Sequence, residues 1–261
     1  MDNALLQKPY QKLNANALKL IAIVAMTIDH LAWFFFPGYP AELLPLAMHA
    51  IGRLTCPIMC FFIAEGYHYT HDVKKYSRRL LVFAALSHVP YMMQSMAFRE
   101  YGWLSLIPFA TGQGFGHFLN QTSVIWPYFI GLTMLRLNDT NWKPWKKTVL
   151  FALLCVAAFP SDWSCIASLV IFAIGTNRGN PKAQILASFA FYAMYALVYC
   201  FAMDTVYGLL QMCVVLALPV LLLYNGARGK NPKVNRVMKW LFYAYYPLHL
   251  AILGVLQLLL H

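Results

Sequence analysis

The chain has 261 residues, of which 61% are hydrophobic, 16% aromatic and only 11% charged, and its mean hydropathy is +0.56. So few charges cannot cover a soluble domain, where about a quarter of residues are charged, and a disordered chain would be polar and poor in aromatics. The composition selects an all-α, polytopic transmembrane helix bundle, whose net charge of +11 then needs a location.

A membrane helix needs about 20 mostly apolar residues. Nine runs qualify in chain order: about 18–36, 47–70, 79–98, 117–136, 147–160, 162–177, 183–203, 206–224 and 237–260. The fifth and sixth are short, as thin or tilted helices or as a hairpin that does not fully cross. Residues 99–116 read as a loop rich in Gly and aromatics, with Trp103, Phe109 and Phe115 lying in the interface. Residues 1–17 form a polar tail, and 18–261 one transmembrane domain. No cleavable signal peptide is expected, because the first apolar run is long and lacks a small-x-small site at its end.

Eighteen of the twenty Lys and Arg residues fall in the tail and in the loops after the second, fourth, sixth and eighth spans. The opposite loops hold only Arg99, and Arg53 lies inside a span. The positive-inside rule therefore puts the N-terminus in the cytoplasm and the C-terminus outside, in the cell membrane. Basic residues scattered over five segments of one face argue against nucleic acid. They fit orientation in a lipid bilayer and contact with anionic lipid.

Ionisable groups in hydrocarbon need a partner or a task. Asp29, His30, His49, Arg53, Glu65, His88 and His249 lie within spans. At about 1.5 Å per residue, His30, Arg53 and His249 reach similar depth in the outer half of the bilayer. Asp29 and His30 point about 100° apart on a helix, so Asp29 is free to pair with Arg53 or with a His on another helix. An imidazole is the natural general base near neutral pH, which singles out His30, although a hydrogen-bonding core His is the bland alternative. Glu65, followed by Gly66 with its close backbone approach, either pairs with Arg79 or another cation or lines a substrate path. His88 is expected to line a cavity, since Pro90 should break or kink the third helix. His49 is a weaker candidate near the outer surface. His68, His71, His117 and His261 lie at or beyond span ends and are expected to be solvated.

Cys56 and Cys60 share a helix face, but no matching second pair exists, so no metal is expected and the six cysteines read as small buried side chains. There is no phosphate-binding G-x-x-x-x-G-K-[ST] loop, no G-x-S-x-G elbow and no H-E-x-x-H. Asp29 and Glu65 fall near opposite ends of the bilayer and form no dyad.

Several motifs carry a resemblance. LKLIAIVAMTIDH at 18–30, IGRLTCPIMCFFIAEGY at 51–67, KKYSRRLL at 74–81, LSHVPY at 86–91, LLLYNGARG at 221–229 and FYAYYPLHLAILGVL at 242–256 resemble, in this order, the TraX family. In the middle only NQTSVIWPYFIGL at 120–132 and the Asp162–Trp163 pair look like family positions. The resemblance implies a membrane acetyltransferase related to the larger membrane acyltransferase superfamily that modifies surface sugars. The founding member acetylates the N-terminus of a conjugative pilin. It further implies His30 as the base, Arg53 as anchor or transition-state stabiliser, and His249 as a supporting group, with Asp29 beside them. Acetyl-CoA would be the donor, its polyanionic end held on the basic face by Lys74, Lys75, Arg78 and Arg79, with Glu65 and His88 along its path. The acceptor is an amine or hydroxyl on a peptide, a lipid head group or a glycan. The competing reading is a small-solute transporter or channel in which His, Arg and Asp form a relay; a non-catalytic scaffold is the third.

Overall fold

The computed structural model describes residues 9–107, 109–110 and 120–260. Phe115, His117, His261 and the start of the fourth expected span lie outside the described residues. Helix α1 is Ala15–Phe35, capped by the side chain of Asn14, which accepts from the Ala17 N–H at 3.0 Å. The second expected span is a broken helix, α2 (Leu43–Gly52) and α3 (Thr55–Tyr69). Pro57 explains the break, because it has no N–H to give the carbonyl of Arg53 four residues earlier.

Helix α4 (Val73–Met93) starts on Asp72, whose carboxylate accepts from the Lys75 N–H at 2.8 Å. It continues through Pro90 rather than breaking there, and ends three residues later. A single lost backbone bond is tolerated where neighbouring helices pack on both sides, and α4 lies between its partners α6 and α12. The expected loop 99–116 begins instead as helix α5 (Met96–Tyr101) and a 3-10 turn over Gly102–Leu106. Trp103 and Phe109 are exposed there.

The chain continues with α6 (Ile125–Asn138), α7 (Pro144–Ala158), α8 (Ser164–Thr176) and α9 (Pro181–Ala202). A broken run follows: α10 (Thr205–Leu210), a 3-10 segment (Gln211–Leu216) and α11 (Ala217–Leu222). The last helix is α12 (Pro232–Leu260). Among the described residues there is no strand, only two isolated bridges, Leu13–Tyr224 and Thr122–Ser161.

The protein is an all-α membrane protein. Among the described residues, five stretches are long and apolar enough to cross a bilayer: Ala15–Phe35, Leu43–Tyr69, Pro181–Ala202, Thr205–Leu222 and Pro232–Leu260. The bent pair of α4 with the segment after it makes six. Helices α6, α7 and α8 have 14, 15 and 13 residues, less than a perpendicular crossing needs, so helix length supports five or six spans rather than nine. Large apolar side chains point outward, Phe201 being 90% and Leu43 85% exposed, as a lipid-facing surface requires.

Short α6 and α8 are central rather than peripheral. They pack on each other and on α3, and α8 also on α9, and Leu132, Val170 and Ile171 are fully buried. Gly131 permits this, since a Cβ there would lie 2.9 Å from the Ile171 side chain. Gly131→Leu is therefore expected to force α6 from α8 and destabilise the protein by about 1–3 kcal/mol, seen as a lower melting temperature in detergent.

Candidate active site

The inward stripe of α1 runs Asn16, Lys19, Ile23 and Met26 and ends at His30, with spacings of three or four residues. Asp29 turns toward α2 instead. Gly52 makes room for it: a Cβ there would collide with the Asp29 carboxyl. Asp29 Oδ1 accepts from Arg53 Nη2 at 2.9 Å and from His49 Nδ1 at 2.8 Å. Arg53 sits at the break between α2 and α3, where its guanidinium also donates from Nε to the His49 carbonyl at 3.2 Å and from Nη1 to Gln211 Oε1 at 2.9 Å.

Three of the five N–H groups of Arg53 are thus committed to protein acceptors, and two have none among the described residues. The guanidinium lies 5.4 Å from the Trp163 ring centre, which itself stacks on Tyr195 at 5.3 Å. Trp163 and Ser164 both have positive φ, 61° and 49°, a conformation that costs non-glycine residues energy and tends to persist at functional sites. The bridge between Thr122 and Ser161 holds this turn. Asp162, in the same turn, accepts the Trp163 N–H and faces Arg53 and Asp29 electrostatically.

On the other side stand two histidines. His249 Nδ1 is 2.7 Å from the Tyr245 carbonyl, and His249 Nε2 is 2.6 Å from His30 Nδ1. A carbonyl only accepts, so His249 Nδ1 carries a proton. In the neutral ring its Nε2 is then an acceptor, and His30 Nδ1 donates to it. This leaves His30 Nε2 with a lone pair. The rings of Tyr245, His249 and His30 stack in series, each pair 4.9 Å apart between centres, and Gln94 Nε2 donates to the His30 carbonyl at 2.9 Å.

His30, Asp29, Arg53 and Asp162 line a small chamber of about 30 Å³. Five of its wall residues, Met26, Thr55, Val124, Tyr128 and Tyr246, also line a larger cavity of about 470 Å³. That cavity runs between α1, α3, α4 and α12 to a basic end with Lys19, Arg79, Arg228 and Lys239. On α12 the lining residues are Asn235, Lys239, Phe242, Tyr243 and Tyr246, again one helical face. Tyr128 OH, where the two spaces meet, and Ser87 Oγ, on the wall of the larger cavity, are buried without a hydrogen-bond partner among the described residues, which marks a place for a polar ligand group. At the basic end, burial and the nearby charge of Glu65 push the Tyr224 hydroxyl up to about 12, so it stays neutral.

The structure brings together His30, His249, Asp29 and Arg53, although Arg53 reaches Asp29 rather than either of those imidazoles. Glu65 and Arg79 line the cavity, and Glu65 pairs with Arg178 at 3.5 Å rather than with Arg79. Lys74, Lys75 and Arg78 are exposed and are not among the cavity walls. His88 bonds Thr122 Oγ1 at 3.0 Å and the Leu106 carbonyl at 2.9 Å, which ties α4 to two loops instead of facing the cavity. His68 is exposed but bonds the Gly175 carbonyl at 3.0 Å.

Three residues carry more than the sequence suggested. His49 is fully buried against Asp29 rather than near the surface. Gln211 had no signal at all. Asp162 had only its pairing with Trp163. Arg53→Gln should destabilise the protein by about 3–5 kcal/mol, because it leaves Asp29 buried without its cation. The double variant Asp29→Asn/Arg53→Gln should recover part of that loss in detergent melting, as a double-mutant cycle would resolve.

Residues 14–257 match the profile of the TraX family, described as TraX protein. The chain is 27% identical over 252 residues to a probable fimbrial assembly protein FimC, serogroup H1, of Dichelobacter nodosus, covering 92% of this chain and 94% of that protein. Over 72 residues it is 33% identical to the uncharacterized protein RP591 of Rickettsia prowazekii (strain Madrid E), covering 28% of this chain and 25% of that one. No solved structure matches. With a match over nearly its whole length, this chain belongs to the TraX family.

Proposed function

We propose that this protein is a membrane acetyltransferase that moves an acetyl group from acetyl-CoA to an amine or hydroxyl acceptor. The observation that carries the reading is the lone pair of His30 Nε2, set by the His249 hydrogen bonds, in a small chamber that shares its wall with a cavity whose far end is basic. The basic end belongs to the face rich in Lys and Arg, which the positive-inside rule assigns to the cytosol of a cell membrane, where acetyl-CoA is made. The donor's anionic nucleotide would stay at that end, and its thioester would pass Ser87 and reach the junction at Tyr128.

His30 Nε2 then takes the proton from the acceptor N–H or O–H as that atom attacks the thioester carbonyl. The positive charge formed on His30 spreads to His249 through their hydrogen bond. The tetrahedral oxyanion is stabilised by the two uncommitted N–H groups of Arg53 and by hydroxyl donors at the junction. Asp29, His49 and Gln211 hold the guanidinium in place. Collapse breaks the C–S bond, the CoA thiolate recovers the proton from His30, and the acetylated acceptor leaves. Family membership supports a pilin-type polypeptide among the acceptors, and the fimbrial assembly name of one relative points the same way.

The test uses purified protein with radiolabelled acetyl-CoA and peptide, lipid and glycan acceptors. His30→Ala should fold normally and lose transfer by at least about a hundredfold. His249→Ala should lose less, since it removes the charge-sharing partner but leaves the base. A His30→Ala protein as active as the parent would sink the assignment.

A further inference from the structure

We infer that the basic mouth of the large cavity is a built phosphate-binding site formed by Lys19, Arg79, Arg228 and Lys239. The inference rests on the acetyltransferase reading only for the name of its ligand, the phosphates of an acyl-CoA. The site itself rests on charge and geometry.

Four cations from α1, α4, the loop before α12 and α12 converge on one opening. None of them forms a salt bridge among the described residues. They repel one another: Lys19 feels Arg228 and Lys239, and Lys239 feels Arg79 and Arg228. Arg79 Nε is buried with no acceptor among the described residues, a costly state for a charged group unless a ligand completes it. Among the described residues Glu65 is the only carboxylate on the cavity wall, and Arg178 pairs with it.

The cations are also held in place. The Lys19 ammonium lies 5.5 Å and 5.4 Å from the ring centres of Phe62 and Phe242, and Arg79 lies 5.7 Å from that of Tyr76. Asn235 ties the rim together. Its Oδ1 accepts from Asn16 Nδ2 at 2.6 Å and from the Gly229 N–H at 2.9 Å, and its Nδ2 donates to the Gly229 carbonyl at 2.8 Å. Mutually repelling cations on a fixed frame call for a ligand with more than one negative charge. The same phosphate chemistry is offered by a soluble nucleotide and by a lipid headgroup.

Binding of adenosine 3′,5′-bisphosphate to the full chain, in nanodiscs of zwitterionic lipid, tests this. Neutralising Arg228→Gln or Lys239→Gln should weaken binding about tenfold each, the loss of one charge-assisted hydrogen bond, and the double variant more. Lys146→Gln, on α7, should change nothing, and added salt should weaken the parent. A second set of nanodiscs contains phosphatidylglycerol. If that lipid displaces the bisphosphate and itself depends on Arg228 and Lys239, the phosphate site stands with a lipid ligand. If neither ligand distinguishes parent from double variant, the site is overturned. Acetyl transfer with an unchanged KM for acetyl-CoA in the double variant overturns acyl-CoA as the ligand of the site but leaves the acetyltransferase reading intact. Bisphosphate binding as expected with no acetyl transfer sinks that reading and leaves the site.

Discussion

The Asp29–Arg53 ion pair organises the centre of this protein. Two opposite charges in a low-dielectric interior are costly apart and tolerable only when hydrogen-bonded together. That condition dictates the neighbours. Arg53 needs further acceptors, which the His49 carbonyl and Gln211 supply. Asp29 needs space, which Gly52 supplies. The pair thereby joins α1, the break between α2 and α3, and the 3-10 segment at Gln211, three parts of the chain that are far apart in sequence.

The broken second span is the local device behind this pair. Pro57 withholds one backbone N–H, the helix interrupts at Arg53 and Leu54, and the guanidinium emerges at the interruption. A second irregular element, the turn with positive φ at Trp163 and Ser164, presses an aromatic face on the same cation and brings Asp162 alongside. Irregular backbone inside a membrane protein is tolerated where it is buried in protein or lines a cavity, and these two elements border the same small chamber.

Charge is distributed along the cavity in a consistent order. The basic end repels cations and attracts anions, the middle is aromatic with hydroxyls that have no partner among the described residues, and the small chamber beyond is lined by His30 and the ion pair. The order follows from helix periodicity. Lys19, Met26 and His30 lie on one stripe of α1, and Lys239, Tyr243 and Tyr246 on one stripe of α12, so each helix carries a cation at one end of the cavity and reaches the chamber at the other.

The sequence by itself determined the membrane class and the helical architecture, and it singled out the candidates Asp29, His30, Arg53 and His249. Those signals are local: an apolar run, a count of charges, an ionisable group where none is cheap. It also suggested that Asp29 pairs with Arg53 or a histidine, and both pairings occur. It did not determine the number of full crossings, because helix ends depend on caps and breaks such as those at Pro57 and Met93. Nor did it reveal His49 or Gln211 as partners, the tie between His88 and two loops, or Arg178 as the partner of Glu65. Only the tertiary structure decided these, since a polar residue in an apolar span has many possible partners and the packing of distant helices selects one.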